Sequence, residues 1–345
     1  MFEGKTVAVV VPCYNEQQQV ARVLETMPDF VDCVLVVDDA STDGTVEVVR
    51  RHAEAAAGRI VLIEQQPNQG VGRAIVTGYQ EAVRRQMDVT AVMAGDAQMD
   101  PKQLRLLLRP VAAGEADYAK GNRLFYRRAW HIIPRHRYLG NAFLSMLTKI
   151  ASGYWHVADS QTGYTAISLE ALETIDLEGV YPRYGYPNDL LVRLNADDFR
   201  VADVPIWPTY NVGEQSKMKL WKLIPKMSWL ILKMFFWRMW RKYVIRDFHP
   251  LVFFYLAAIV TGLMGVLFFL RMVCVWAATG SIPPVNTLVW ALCFISSTQF
   301  ALFGMWFDLE MNRLLNANPP RGKVDRTPQR RGPGAPEGPE EPAAL

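Results

Sequence analysis

Acidic residues are absent from Ser216 to Arg246, and charge of either sign is absent from Leu251–Leu270 and from Val285–Phe307. The two uncharged runs, "LVFFYLAAIVTGLMGVLFFL" and "VNTLVWALCFISSTQFALFGMWF", each reach the ~20 residues that a helix needs to cross a bilayer. Two membrane spans are therefore expected, at about 251–275 and 285–307. Cysteine is scarce: Cys13, Cys33, Cys274 and Cys293 show no CxxC spacing, which argues against a zinc ribbon or a disulfide scaffold and for reduced thiols. The first residues, "MFEGKTVAVVVPCYNE", lack the apolar length and the flanks of a secretory signal.

The distribution of charge says more than its net value of +3. The connector "AATGSIPP" between the spans is uncharged, while Lys217, Lys219, Lys222, Lys226 and Lys233 crowd ahead of the first span and Arg313, Arg321 and Lys323 follow the second. The positive-inside rule then places both tails in the cytoplasm, and Arg271 near the far end of the first span is able to snorkel. The stretch "EQSKMKLWKLIPKMSWLILKMFFWRMWRKYVIRDF" interleaves basic with apolar residues. That composition suits a helix lying on a membrane surface; a nucleic-acid patch competes for such a pattern, but the adjoining spans argue against it. From Asn316 the chain is rich in proline, glycine and charge and is expected to be disordered. The organisation expected is a cytosolic domain at 1–213, a basic juxtamembrane segment at 214–249, two transmembrane helices within 250–310 and a tail at 316–345.

In the first half, β-branched apolar runs at Thr6–Val11, Val34–Val37, Arg59–Ile63 and Val89–Met93 alternate with helical patterns near Gln17–Met27, Thr45–Ala56 and Gly72–Arg85. This is the alternation of an α/β fold, a Rossmann-like, mostly parallel sheet with helices on both faces. Ligands of such sheets sit beyond the carboxyl ends of the strands. Those ends here hold "PCYNE", "DDASTDGT", "PNQGVGRA" and "AGDAQMD". Each cluster alone suits a turn or cap; four at one rim point to a ligand.

A nucleoside diphosphate fits their chemistry. Gly70 and Gly72 ahead of a helix let backbone N–H groups approach phosphate, and Asp39 offers acceptors to a base or ribose. Asp96 and Gln98 offer hard oxygens to Mg²⁺ or Mn²⁺. Asp100 before Pro101 reads as a helix cap.

The ordered set "VVVPCYNE", "VVDDASTDGT", "NQGVGRAI", "AGDAQMDP", "GNR" and "DSQTGYTAIS", followed by two spans, resembles glycosyltransferase family 2 with the GT-A fold. Within it the chain is similar to the polyprenyl-phosphate subgroup, dolichol-phosphate mannose synthase and its bacterial relatives, from about Thr6 to Phe307. The resemblance implies that Pro12, Tyr14, Glu16, Asp39 and Asp43 surround the nucleoside, that Gly70 and Arg73 belong to the donor site, and that the acidic motif binds the divalent cation. The family's Asp-x-Asp would need an acid at Ala94, so the cation leans on Asp96 and Gln98. Ser216 and Lys217 resemble a segment that closes over the diphosphate, and Tyr210 stands near where relatives often carry arginine.

Two further acids, Asp159 in "DSQTGY" and Asp189 in "YPNDLL", look interior and are taken with the catalytic set. The resemblance implies a general base at Asp189 where the acceptor is a sugar hydroxyl. A lipid phosphate, with its second pKa near ~6, needs no strong base but does need cations, which Arg123 and Arg137 are able to supply as a fork; a solvated basic face fits Arg137 equally. The resemblance thus implies an inverting transfer of one sugar from a nucleotide sugar to undecaprenyl or dolichyl phosphate at the cytosolic face of a bilayer, without nucleic acid. Transfer to a hydroxyl or another lipid, and a non-catalytic nucleotide-binding membrane protein, stand as alternatives. Sugar, nucleotide and self-association stay open.

Overall fold

A β-branched run apolar on both sides of its pleat is stable as a strand where both faces are covered. In the computed structural model, which describes residues 1–56, 58–125, 135–207 and 220–318, the strands Val7–Cys13 (β1) and Cys33–Asp39 (β2) are buried along their whole length. They form the middle of a seven-stranded sheet with β3 (Ile60–Gln65), β4 (Val89–Val92), β5 (Tyr118–Asn122), β6 (Thr165–Ser168) and β7 (Val201–Pro205), in the order β3-β2-β1-β4-β6-β5-β7. β1 runs parallel to β2 and β4, with Val9 opposite Val34 and Ala91. β6 is antiparallel to both neighbours, and β7 is parallel to β5 with Lys120 opposite Asp203.

Alternate residues of the strands feed two cores. Ala8 and Val10 face α3 (Val71–Arg84), α6 (Leu169–Thr174) and α7 (Tyr186–Ala196), whereas Val7, Val9 and Val11 face α1 (Val20–Glu25), α2 (Thr45–Ala55) and α4 (Leu104–Ala112). The first helix starts later than its apolar pattern suggests. Asp43 Oδ2 accepts from the Gln17 amide and the Gln17 side chain accepts from Gly44 N, so those residues are tied to the neighbouring loop before a helical turn begins. Asp100 caps the short turn opened by Pro101, its carboxylate accepting from Lys102 N at 3.0 Å.

The helix α5 (Arg135–Ser152) packs against α8 (Leu220–Trp240) through Leu144 and Ala151, with Val192 of α7 beside them. α8 has two faces at helical spacing: Met227, Ile231, Met234 and Arg238 are buried, while Trp229, Leu232, Phe236 and Trp240 are exposed. It runs into a π-helical turn, Arg241–Arg246, and then into two long apolar helices, α9 (Leu251–Thr279) and α10 (Pro284–Met311). Both are long and apolar enough to cross a membrane, and each extends several residues beyond its uncharged core because helix geometry outlasts the apolar composition. Gly262 and Gly265 of α9 lie against Ser297 and Cys293 of α10, the small-residue contact that lets two such helices approach closely.

Both ends of this hairpin return to the sheet-bearing domain. Arg238 pairs with Asp308 of α10 at 2.7 Å with both side chains fully buried, and the guanidinium also donates to Ala151 O and Asn195 Oδ1. Lys242, Tyr243 and Asn312 complete the polar cluster. Asn316–Asn318, which composition assigns to the tail, instead pair with the edge of β7: Ala317 N donates to Val201 O, and the Asn318 side chain exchanges hydrogen bonds with the Asp203 backbone. Main-chain groups of an edge strand are satisfied there by whichever segment follows the hairpin.

Candidate functional site

The carboxyl ends of β3, β2, β1 and β4 open into a cleft of about 390 Å³. Its lining brings together Pro12 near the end of β1, Tyr14 and Glu16 after it, Asp39 at the end of β2, Gly70 ahead of α3 and Asp96 after β4. The loops that carry them are stitched to each other. Asn15, at φ 57°, accepts from Thr42 N through its side chain, and Glu16 N donates to Thr45 Oγ1 at 2.9 Å. An asparagine tolerates that left-handed backbone better than most residues.

Asp39 is 3% exposed and its carboxylate oxygens accept from Gln69 N at 2.7 Å and Gly70 N at 2.8 Å. It therefore shapes the β3–α3 loop as well as lining the cleft. Beside it, Asp38 is buried too, and its Oδ1 has no hydrogen-bond partner among the described residues. Cys13 lies under the floor, where a Cβ on Gly95 would come within 2.7 Å of its sulfur. Burial first, and then the negative charge of Asp38, Glu16 and Asp96, push its thiol well above the usual range. Three carboxylates, those of Glu16, Asp39 and Asp96, line this cleft.

Several sequence expectations fall elsewhere. Gly70, expected with Gly72 to admit phosphate, lines the cleft with its N–H given to Asp39, and Cβ atoms at the two glycines would stand 2.9 Å from Arg183 Cγ and Tyr186 Cβ respectively. Their smallness admits the 181–186 segment, which comes from far along the chain. Asp43 does not line the cleft: its carboxylate caps α2 through Thr45 and holds Gln17 N. Burial opposes its ionisation, yet those hydrogen bonds leave its pKa lowered overall. Arg73 and Gln98 also lie outside the lining, although Gln98 N closes a tight turn on Asp96 Oδ1 at 3.1 Å. Among the described residues no three His, Cys, Asp or Glu side chains cluster closely enough to hold a metal.

The second half of the domain gathers the remaining acids away from the cleft. The fork of Arg123 closes on Asp159, with Nε at 2.7 Å and Nη2 at 3.1 Å, and Gln161 N adds a further bond. Burial pushes Asp159 up, but the Arg123 charge and hydrogen bonds, with Lys120 behind them, bring it below the usual range. Lys120 is fully buried, donates to Thr162 O at 2.6 Å, and is brought down to about 7 by burial. Asp203 across the strand pair rises to about 6, also by burial, with one oxygen lacking a hydrogen-bond partner among the described residues. Asp189 sits in the first turn of α7, accepting from Tyr181 N at 2.6 Å and Arg193 Nε at 3.2 Å; burial raises it against the pull of Arg193. Neither Asp159 nor Asp189 lines the cleft. The backbone of Arg137 lies in α5, while its side chain, like Tyr210, Ser216 and Lys217, lies outside the described residues.

The cleft also holds residues that the sequence did not single out: Cys13, Asn68, Arg183 and Tyr184. Asn68 donates to the Asp39 carbonyl at 2.8 Å. Arg183 and Tyr184 carry no local motif; the paired glycines of "NQGVG" were the one trace that something packs there.

An acid-lined cleft at this rim, on this sheet order, belongs to a class of nucleotide-sugar folds, GT-A, and residues 8–176 match the family model described as glycosyl transferase family 2. The polyprenol monophosphomannose synthase of Mycolicibacterium smegmatis is 32% identical over 215 residues, 61% of this chain and 80% of that protein. The undecaprenyl-phosphate mannosyltransferase of Micrococcus luteus is 30% identical over 215 residues, 61% and 87% of the two chains. The UDP-N-acetylglucosamine–dolichyl-phosphate N-acetylglucosaminyltransferase of Methanococcus voltae is 25% identical over 218 residues, 60% and 86%. Among solved structures, glucosyl-3-phosphoglycerate synthase from Mycobacterium tuberculosis, in complex with Mn²⁺, UDP-glucose and phosphoglyceric acid, aligns with TM-score 0.49 and 23% identity over 68% of this chain and 80% of that one. The chain belongs to glycosyl transferase family 2 and is a glycosyltransferase.

Proposed function

We propose that the chain transfers one sugar, with inversion, from a nucleoside-diphosphate sugar to a polyprenyl phosphate at the cytosolic face of a membrane. The observation that carries this reading is the pairing of an acid-lined cleft with a two-helix apolar hairpin docked on the same domain. The three named relatives act on lipid-linked phosphates by their names, which supports the acceptor class. The side-chain chemistry agrees. Asp189 is buried, hydrogen-bonded and outside the cleft, a poor posture for a general base but a good one for holding the chain around it. A phosphate monoester, already largely dianionic near neutral pH, has no proton to give up.

In the reaction a phosphate oxygen of the acceptor attacks the anomeric carbon, and the bond from that carbon to the donor's diphosphate breaks with its electron pair leaving on the diphosphate. Tyr14, Asp39 and Asn68 border the nucleoside; Asp96, with Gln98 beside it in the turn, would hold Mg²⁺ or Mn²⁺. The fit is partial. One carboxylate with a neighbouring amide oxygen suits a cation that arrives with the diphosphate and takes its remaining ligands from phosphate and water. The charge of the lining agrees, since an anionic donor meets Glu16, Asp39 and Asp96 there. Such an ion, when bound, neutralises charge on the departing diphosphate.

The hairpin ends that meet one domain, together with the basic residues ahead of α9, support two spans with both tails cytoplasmic. The test is direct: purified protein receives labelled nucleotide sugars with undecaprenyl or dolichyl phosphate. An acid-labile glycosyl lipid, made only with polyprenyl phosphate present, is expected; transfer to a neutral lipid or an oligosaccharide in its absence refutes the reading.

A further inference from the structure

The lining of the donor cleft carries three carboxylates, Glu16, Asp39 and Asp96, and among the described residues its only lysine or arginine is Arg183. Arg183 is exposed and makes no ion pair with a described carboxylate. Its neighbours, by contrast, are fastened on every side. Tyr181 N donates to Asp189, and Pro182 O accepts from Arg73 N at 3.1 Å at the start of α3. Arg193 binds Asp176 at 3.1 Å and also Gly179 O, and its guanidinium lies 5.2 Å from the ring centroid of Trp237 on α8. Gly185 leaves no room for a side chain beside Leu230 of α8. The segment from Asp176 to Gly185 is therefore a strap laid from α7 and α8 onto the amino end of α3, and its one unpartnered cation is delivered to the cleft.

We infer that Arg183 is a donor-binding residue that meets the diphosphate of the nucleotide. The inference rests on reading the cleft as the donor site. A guanidinium presents a planar pair of donors matched to phosphate oxygens, and its weak hydration lowers the desolvation penalty. A pre-positioned backbone adds affinity because little ordering entropy remains to be lost on binding. The fastening explains an otherwise odd arrangement, in which a buried aspartate, a multiply bonded arginine and two glycines all serve to place ten residues whose only polar reach into the cleft is Arg183 and the Tyr184 beside it.

The experiment uses the full chain in detergent or nanodiscs with Mg²⁺ and measures binding of GDP, UDP, guanosine and uridine by calorimetry. Arg183→Ala is expected to weaken whichever diphosphate the wild type binds by at least roughly tenfold, the loss of one charge-assisted contact. It should leave the matching nucleoside within about twofold and the melting temperature unchanged, because Arg183 is exposed. Arg183→Lys, which keeps the charge and loses the fork, should fall between; Arg183→Gln repeats the measurement if alanine loosens the strap. Diphosphate affinity equal to wild type in Arg183→Ala and Arg183→Gln overturns the assignment. So does an equal loss for nucleoside and diphosphate, which would place Arg183 on the nucleoside. A wild-type protein that binds neither GDP nor UDP overturns the donor reading itself.

Discussion

At the β1–β4 end of the sheet Glu16, Asp39 and Asp96 border open space, whereas in the second half of the domain Asp159, Asp189 and Asp203 are buried and turn toward Arg123, Arg193 and Asn122. All six are carboxylates of one sheet-bearing domain. What differs is access: the first three line the cleft, and the second three are enclosed by the protein around them. A carboxylate whose counter-charge is built in stabilises its surroundings and has little left to offer a ligand; one that faces a cleft keeps its capacity for a substrate. Loss of the first kind is expected to appear as instability, and loss of the second as slow turnover.

Asp159→Ala gives the largest expected effect, about 3–5 kcal/mol of stability, because Arg123 and Lys120 lose the carboxylate that faces both. Denaturant or thermal unfolding of the purified chain measures it, and a change under about 1 kcal/mol would erase the contrast between the two halves. Asp96→Ala comes next and on the other axis: turnover should fall by about 10²–10³ with the melting temperature near wild type. Donor-dependent release of nucleoside diphosphate reads it. Full turnover of that variant in EDTA would remove Asp96 from cation binding altogether.

Lys120 sharpens the comparison through pH. Its folded pKa of about 7 lies below the usual value of 10.5, so between those values the unfolded chain binds more protons than the folded one and stability rises with pH. From pH 7 to 8, below the range where Cys13, Cys33 and the buried tyrosines begin to oppose it, the gain should be on the order of 1 kcal/mol. Lys120→Met should flatten that rise in melts taken across the window. A slope that survives the substitution assigns the effect to another group. The smallest effect is expected from Asp189→Asn, less than about tenfold on turnover when a polyprenyl phosphate is the acceptor, against the ~10²–10⁴-fold loss typical of a general base.

The same contrast accounts for what could be read along the chain. β1 to β4 and the helices between them were legible because each is a contiguous apolar run with its own periodicity, and Pro12, Tyr14, Glu16, Asp39, Gly70 and Asp96 follow directly from those strands in sequence. β5, β6 and β7 were not, since Tyr118–Asn122 and Thr165–Ser168 are short and partly polar, and their pairing is set by contacts across more than 40 residues. Gly70 and Gly72 carry a double meaning for a related reason: a glycine reports that something comes close, not what, and here the 181–186 segment packs against both. Arg183 reaches the cleft only through the strap, and Asn316–Asn318 join β7 through the Ala317 main chain and the Asn318 side chain, which composition does not foretell.

The Arg238–Asp308 pair and the Asn316–Asn318 edge pairing attach the hairpin to the catalytic domain at two separate places. A load held at two points resists swivelling, as a vice clamped at both jaws does. The height of the cleft above the hairpin's near ends then becomes a constant of the molecule, and the membrane acceptor proposed above would have to present its head group at that one altitude. Encounter is reduced to a search within a plane, where the local concentration of acceptor is governed by lipid density and not by the sweep of a tether. Departure of the proposed glycosyl lipid, correspondingly, would be a sideways glide away from a stationary enzyme.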